Sequence, residues 1–162
     1  MIQTIKIILL LLGSVILQTS LIAKISIFGS KVSLPLALTV SVALMKGSFH
    51  GEMIGFFSGL LCDLSSGSPF LGIQSLSQVL VGYFTGLMRV RFYSESIVTQ
   101  SILGFSATLV DKLISLLILT VLLSGFPSPR LQPQGLLLTA IINSLLTIIV
   151  FRISTRVLRE SS

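Results

Sequence analysis

The feature that most constrains this chain is a succession of long apolar runs separated by short polar breaks. The runs cover 5–23, 32–45, 49–64, 70–88, 97–123 and 136–153. A helix that crosses a bilayer needs roughly 20 predominantly apolar residues. The apolar residues come in unbroken stretches rather than in alternation, which favours helices over barrel strands. Charged residues make up only 10% of the 162 positions and hydrophobic residues 52%. Mean hydropathy is +1.03. Such a chain has too few polar side chains to cover a water-facing surface. The sequence therefore predicts one all-α integral membrane domain of about six transmembrane helices.

The breaks have turn chemistry. Lys24, Gly29, Ser30 and Lys31 are expected to form a turn, and Lys46, Gly47 and Ser48 to close the second run. Pro35 lies in the first turn of that run, where a missing N–H costs little. The second run is short, and the third is about 24 Å long as a helix against a hydrocarbon core of ~30 Å. A compact hairpin that does not cross fully is the competing expectation for these two. The segment 125–133 holds three prolines and reads as a loop. The fifth run is interrupted by Asp111 and Lys112. The first run has the length of a signal peptide but no small-x-small cleavage site, and reads as a retained helix.

Charge sets an orientation. With both termini inside, inner segments hold Lys6, Lys46, Arg89, Arg91, Arg152, Arg156 and Arg159, and outer ones hold Lys24, Lys31 and Arg130. Seven against three obeys the positive-inside rule. The basic balance, pI near 10.1, is thus a matter of topology. No aromatic-interleaved basic patch suggests nucleic acid.

A row of small residues is the sharpest local pattern. Gly47, Gly51, Gly55 and Gly59 recur every fourth position, and Asp63 and Gly67 continue the spacing. On a helix these lie on one face, drifting by about 40° per step. Glycines let another backbone approach closely, which drives helix association in lipid. Gly82 and Gly86 repeat the device. The row serves either packing between the third and fourth runs or docking of a partner's transmembrane helix, and a second copy of the chain is one such partner.

Few residues point to chemistry. Asp63 is a site candidate as an ionisable group at a membrane helix end, or else a cap for neighbouring N–H groups. Asp111 and Lys112 point about 100° apart and each needs its own partner. Asn143 is the expected partner of Asp111 in a buried polar cluster. The lone Cys62 lacks a second cysteine, and His50 lacks triad partners. No catalytic, metal or cofactor motif is present in the sequence.

Residues 51–72 carry Gly51, Gly55, Phe56, Gly59, Leu60, Asp63, Gly67 and Gly72, and Leu80-Val81-Gly82-Tyr83-Phe84-Thr85-Gly86 follows. This resembles the bacterial rod shape-determining protein MreD family, with its G-x-x-x-G-F-x-x-G-L-x-x-D segment and later L-x-G-Y-x-x-G. Asn143-Ser144-Leu145-Leu146 also looks like the family's last helix. One departure is Val32-Ser33-Leu34-Pro35, where relatives often carry Pro followed by an acid or amide. The resemblance implies a non-enzymatic subunit of the cell-wall elongation machinery in the bacterial cytoplasmic membrane. Its implied partners are an MreC-like periplasmic scaffold, an MreB-like filament and the RodA–transpeptidase pair that builds peptidoglycan. The implied fold is similar to the substrate-binding subunits of energy-coupling-factor transporters. A vitamin-binding transporter subunit is accordingly the rival expectation, although the chain has no Trp and only two Tyr to recognise a vitamin.

Overall fold

A computed structural model describes residues 2–20, 26–27, 30–66, 71–89, 96–122 and 133–159. Among the described residues there are six helices: α1 (Ile2–Ser20), α2 (Leu34–Lys46), α3 (Ser48–Ser66), α4 (Ile73–Met88), α5 (Ile97–Leu122) and α6 (Pro133–Arg159). The wholly helical expectation needs one addition. Ser26–Ile27 (β1) and Ser30–Lys31 (β2) pair antiparallel as a small ribbon between α1 and α2. Ser30 and Lys31, expected in a turn, form β2 instead, because they pair with β1; Lys24 and Gly29 of that turn lie outside the described residues, as do Gly67, Arg91 and Arg130.

Helix limits follow local chemistry. Ser33 caps α2, its hydroxyl accepting from the Leu36 N–H, and Pro35 sits in the first turn. Gly47 ends α2 at φ +94°, a left-handed conformation that glycine adopts without Cβ strain. It is the single residue between α2 and α3, so the chain reverses there at once. α5 runs straight through Asp111 and Lys112, the charged pair that breaks the fifth apolar run, close to the expected 97–123. Charged side chains do not break a helix; they only need partners. α6 starts earlier than expected, at Pro133, because proline fits the first helical position. It also continues past Arg152 to Arg159, since arginine is a good helix former.

α2 forms the centre. Every residue from Pro35 to Leu44 is buried. A helix that is apolar all round is buried all round, and α1, α3, α4, α5 and α6 enclose it. Thr39 and Ser41 are tolerated there because each hydroxyl donates to the carbonyl four residues back, at 2.9 and 2.7 Å.

Contacts fix the helix directions. Gly51 meets Ala43 and Ser58 meets Thr39, so α2 and α3 are antiparallel. Gly51 meets Gly82 and Gly59 meets Ser75, which makes α3 and α4 antiparallel. Gly104 meets Thr147, and Asn143 meets Thr108, giving the same relation for α5 and α6. The Lys6 ammonium donates to the Val157 carbonyl at 3.0 Å, which brings the start of α1 to the end of α6. Lys46 and Arg89 end α2 and α4, and Gly47 lies beside the Arg89 guanidinium. Basic residues therefore gather at one end of the bundle.

The distribution of polarity is inverted relative to a water-soluble domain. Gln78, Asp111, Asn143, Thr39 and Thr147 are essentially inaccessible. Leu9, Leu117 and Val121 are each more than 60% exposed. Among the described residues, Ile97–Ile118 and Gly135–Val157 are long and apolar enough to cross a membrane. Ile5–Ser20 and Leu34–Lys46 are apolar but shorter.

Candidate functional site

The glycine row is spent inside the molecule. A Cβ built on Gly51 would stand 2.6 Å from the Ala43 Cβ and 2.7 Å from the Gly82 carbonyl oxygen. One on Gly55 would collide with the Gln78 backbone, and one on Gly59 with that of Ser75. From the other side, Gly82 abuts Gly51 and Gly86 abuts Ser48. These obstacles are backbone, which cannot swing aside. The row is the seam along which α3 and α4 lie almost in backbone contact, so this face is closed to a partner helix while the hairpin is intact. Phe56 and Tyr83 do not join the seam. They are 43% and 41% exposed and stack edge-on with their exposed neighbours Phe57 and Phe84.

Asp63 closes the end of the same seam remote from Gly86. The N-cap of α4 is Gly72, at φ +101°, which has no side chain to cap with. Asp63 reaches across from α3 and takes that role. Its carboxylate accepts from the N–H groups of Gly72 at 2.8 Å, Gln74 at 3.2 Å and Ser75 at 3.4 Å. These are among the groups that a helix start leaves unpaired, and a negative charge there also suits the helix dipole. Gly72 contributes backbone conformation, not close packing: a Cβ on it would meet nothing within 4 Å.

Asp111, on α5, faces α4 at the level of Gln74 and Ser77. It accepts from the Ser77 hydroxyl, and from the Gln74 side-chain amide at 3.4 Å. Gln74 thus touches both carboxylates, Asp63 through its backbone N–H and Asp111 through its side chain. Lys112 brings its ammonium to 4.0 Å from Asp111 while a third of its side chain stays exposed. The two adjacent backbones diverge as expected, but the long lysine stem bends back.

Asn143 is not the partner of Asp111. Its carbonyl oxygen accepts from the Ser33 N–H at 3.0 Å and its amide donates to Thr108 at 3.3 Å. It ties the start of α2 to α5 and α6. The helix register decides this, because Thr108 lies nearly one turn below Asp111 on a face turned to α6.

Several polar residues that bind the bundle together escaped the sequence reading. Gln78 sits between α2 and α3, with its Oε1 accepting from Ser58 and lying 3.4 Å from Thr39; its Nε2 has no partner. The Gln18 amide clasps the ribbon-to-α2 junction, donating to the Val32 carbonyl at 2.6 Å and accepting from the Leu34 N–H at 3.0 Å. Gly104 packs against Thr147 and Ser144, while the Ser144 hydroxyl donates to the Ser101 carbonyl. The recurrence of Gln74, Ser77 and Gln78 at helical spacing was the available signal.

Chemically, this arrangement ties helices to one another. Each of its carboxylates is occupied by donors from α4. Among the described residues no group of three or more His, Cys, Asp or Glu is placed to hold a metal. Comparison of the chain with protein families, curated proteins and solved structures finds no match.

Proposed function

We propose that this chain is a six-span membrane protein with both termini on the cytoplasmic side, acting as a non-enzymatic scaffold of the bacterial cell-wall elongation machinery. The observation that carries the membrane part is the inverted polarity: buried glutamine, asparagine and aspartate, and a surface of Leu, Ile, Val and Phe. In water that surface would aggregate. In lipid it is the solvent-matched face, and the carboxylate of Asp111 and the amide of Asn143 find partners within the bundle. The antiparallel succession of helices and the basic residues at one end support an even number of crossings with that end inside. A short α2 is compatible with this, because a helix surrounded by others has no lipid to match.

The scaffold part rests on the resemblance to the MreD family and on how its motif residues are used. The glycines and Asp63 build a stiff α3–α4 hairpin, and the motif aromatics Phe56 and Tyr83 face outward. A partner's transmembrane helix would meet these aromatics. The vitamin-transporter rival requires an enclosed pocket with convergent polar groups.

Affinity purification in mild detergent tests the reading. An MreC-like protein or a RodA–transpeptidase pair should come along, and Phe56→Ala with Tyr83→Ala should weaken that recovery while the protein stays membrane-inserted. Recovery of an ATPase pair or a tightly held vitamin would establish the rival instead.

A further inference from the structure

One concave feature takes no part in the hairpin or its polar ties. α1 and α6 lean together over α2 and leave a groove of about 400 Å³ between them. Its walls are Leu9 and Leu17 of α1 and Leu146, Ile149 and Ile153 of α6. Gly13 widens it midway, since a Cβ there would meet nothing within 4 Å. At one end stands Lys6, whose ammonium uses one donor on the Val157 carbonyl and keeps two more. The exposed Arg156 precedes Val157 on the same turn of α6. Ser154, in the same wall, is fully buried with its hydroxyl unpartnered.

We propose that this groove holds one acyl chain of an anionic phospholipid whose phosphate is bound at Lys6. The apolar walls fit hydrocarbon and little else. The volume falls in the range of single-ligand sites. The charge at the open end is positive, as the headgroup requires, and the other basic residues at that end of the bundle extend the attraction. The inference rests on the membrane reading above but not on the scaffold role.

The test is native mass spectrometry of the full chain released from bilayers of equal phosphatidylglycerol and phosphatidylethanolamine with identical chains. The wild type should retain phosphatidylglycerol in preference. Lys6→Gln should lower that preference about fivefold, the worth of one basic residue near an anionic surface. Gly13→Leu, which fills the groove, should release the lipid while unfolding as the wild type does. Leu17→Trp serves the same purpose if Gly13→Leu fails to fold. Equal retention of both lipids by the wild type, or undiminished retention by the filled-groove variant, overturns the site. A chain stripped from membranes by alkaline carbonate would sink the membrane reading itself, whereas an inserted chain without lipid preference sinks only this inference.

Discussion

The α3–α4 hairpin and the α1–α6 seam both join apolar helices that carry glycine, yet they pack in opposite ways. Gly55 has the Gln78 backbone where its Cβ would be, whereas Gly13 has open space. The hairpin adds a carboxylate cap and side-chain hydrogen bonds from Ser58 to Gln78 and from Ser75 to the Phe56 carbonyl. The seam has one lysine-to-carbonyl tie at its end and a groove along its length. Glycine in an apolar helix therefore has no fixed meaning. It marks close approach only where the neighbouring helix brings its backbone or a short side chain against it, as Gln78 does at Gly55 and Thr147 at Gly104. Where larger side chains hold the neighbour away, it leaves a space for lipid.

The contrast can be broken most forcefully at Gly55. Gly55→Leu should cost at least about 3 kcal/mol, because the obstacle is backbone and the helices must separate. Reversible unfolding in mixed detergent micelles would measure this, and a stability near that of wild type would deny the close seam. Asp63→Ala should come next, at about 2 kcal/mol, by removing both a cap and a favourable charge at the start of α4. Asp63→Asn should recover part of the loss, since one acceptor oxygen survives. If the alanine and asparagine variants were equally stable, the capping role would fail.

Asn143→Ala should weaken the bundle by about 1 kcal/mol, in keeping with the modest worth of interhelical hydrogen bonds in membranes. A thermal unfolding midpoint identical to wild type would show that the tie between α2, α5 and α6 is dispensable. Gly13→Leu should change stability by less than about 0.5 kcal/mol. A large loss there would mean that α1 and α6 approach as closely as α3 and α4, and the comparison would collapse.

Much of the hairpin was legible before the structure. Four-residue spacing placed Gly51, Gly55 and Gly59 on one face, and Gly82 and Gly86 offered a matching one. Spacing could not say whether the two faces met each other or a partner. That depended on the register between α3 and α4, which Asp63 fixes by seizing the start of α4. The second small-residue contact, at Gly104, escaped notice because its partners are Ser144 and Thr147 on another helix. The pairing of Asp111 with Asn143 was misjudged for a related reason. Both are polar and both are mid-helix, but each finds its partners on whichever helix its register presents.

By itself the sequence determined the helices and their order, and it carries the charge asymmetry on which the proposed orientation rests. Apolar runs, caps and basic residues act locally, and a helix of given composition has few other places to be. It also marked Asp63 as exceptional, because an acid in an apolar run must be matched by something. Only the tertiary structure decided what matched it, which glycines were filled and which left open, and that the shortest apolar helix would be the centre. Those outcomes depend on which surfaces face each other, a relation between segments far apart in the chain that no local pattern carries.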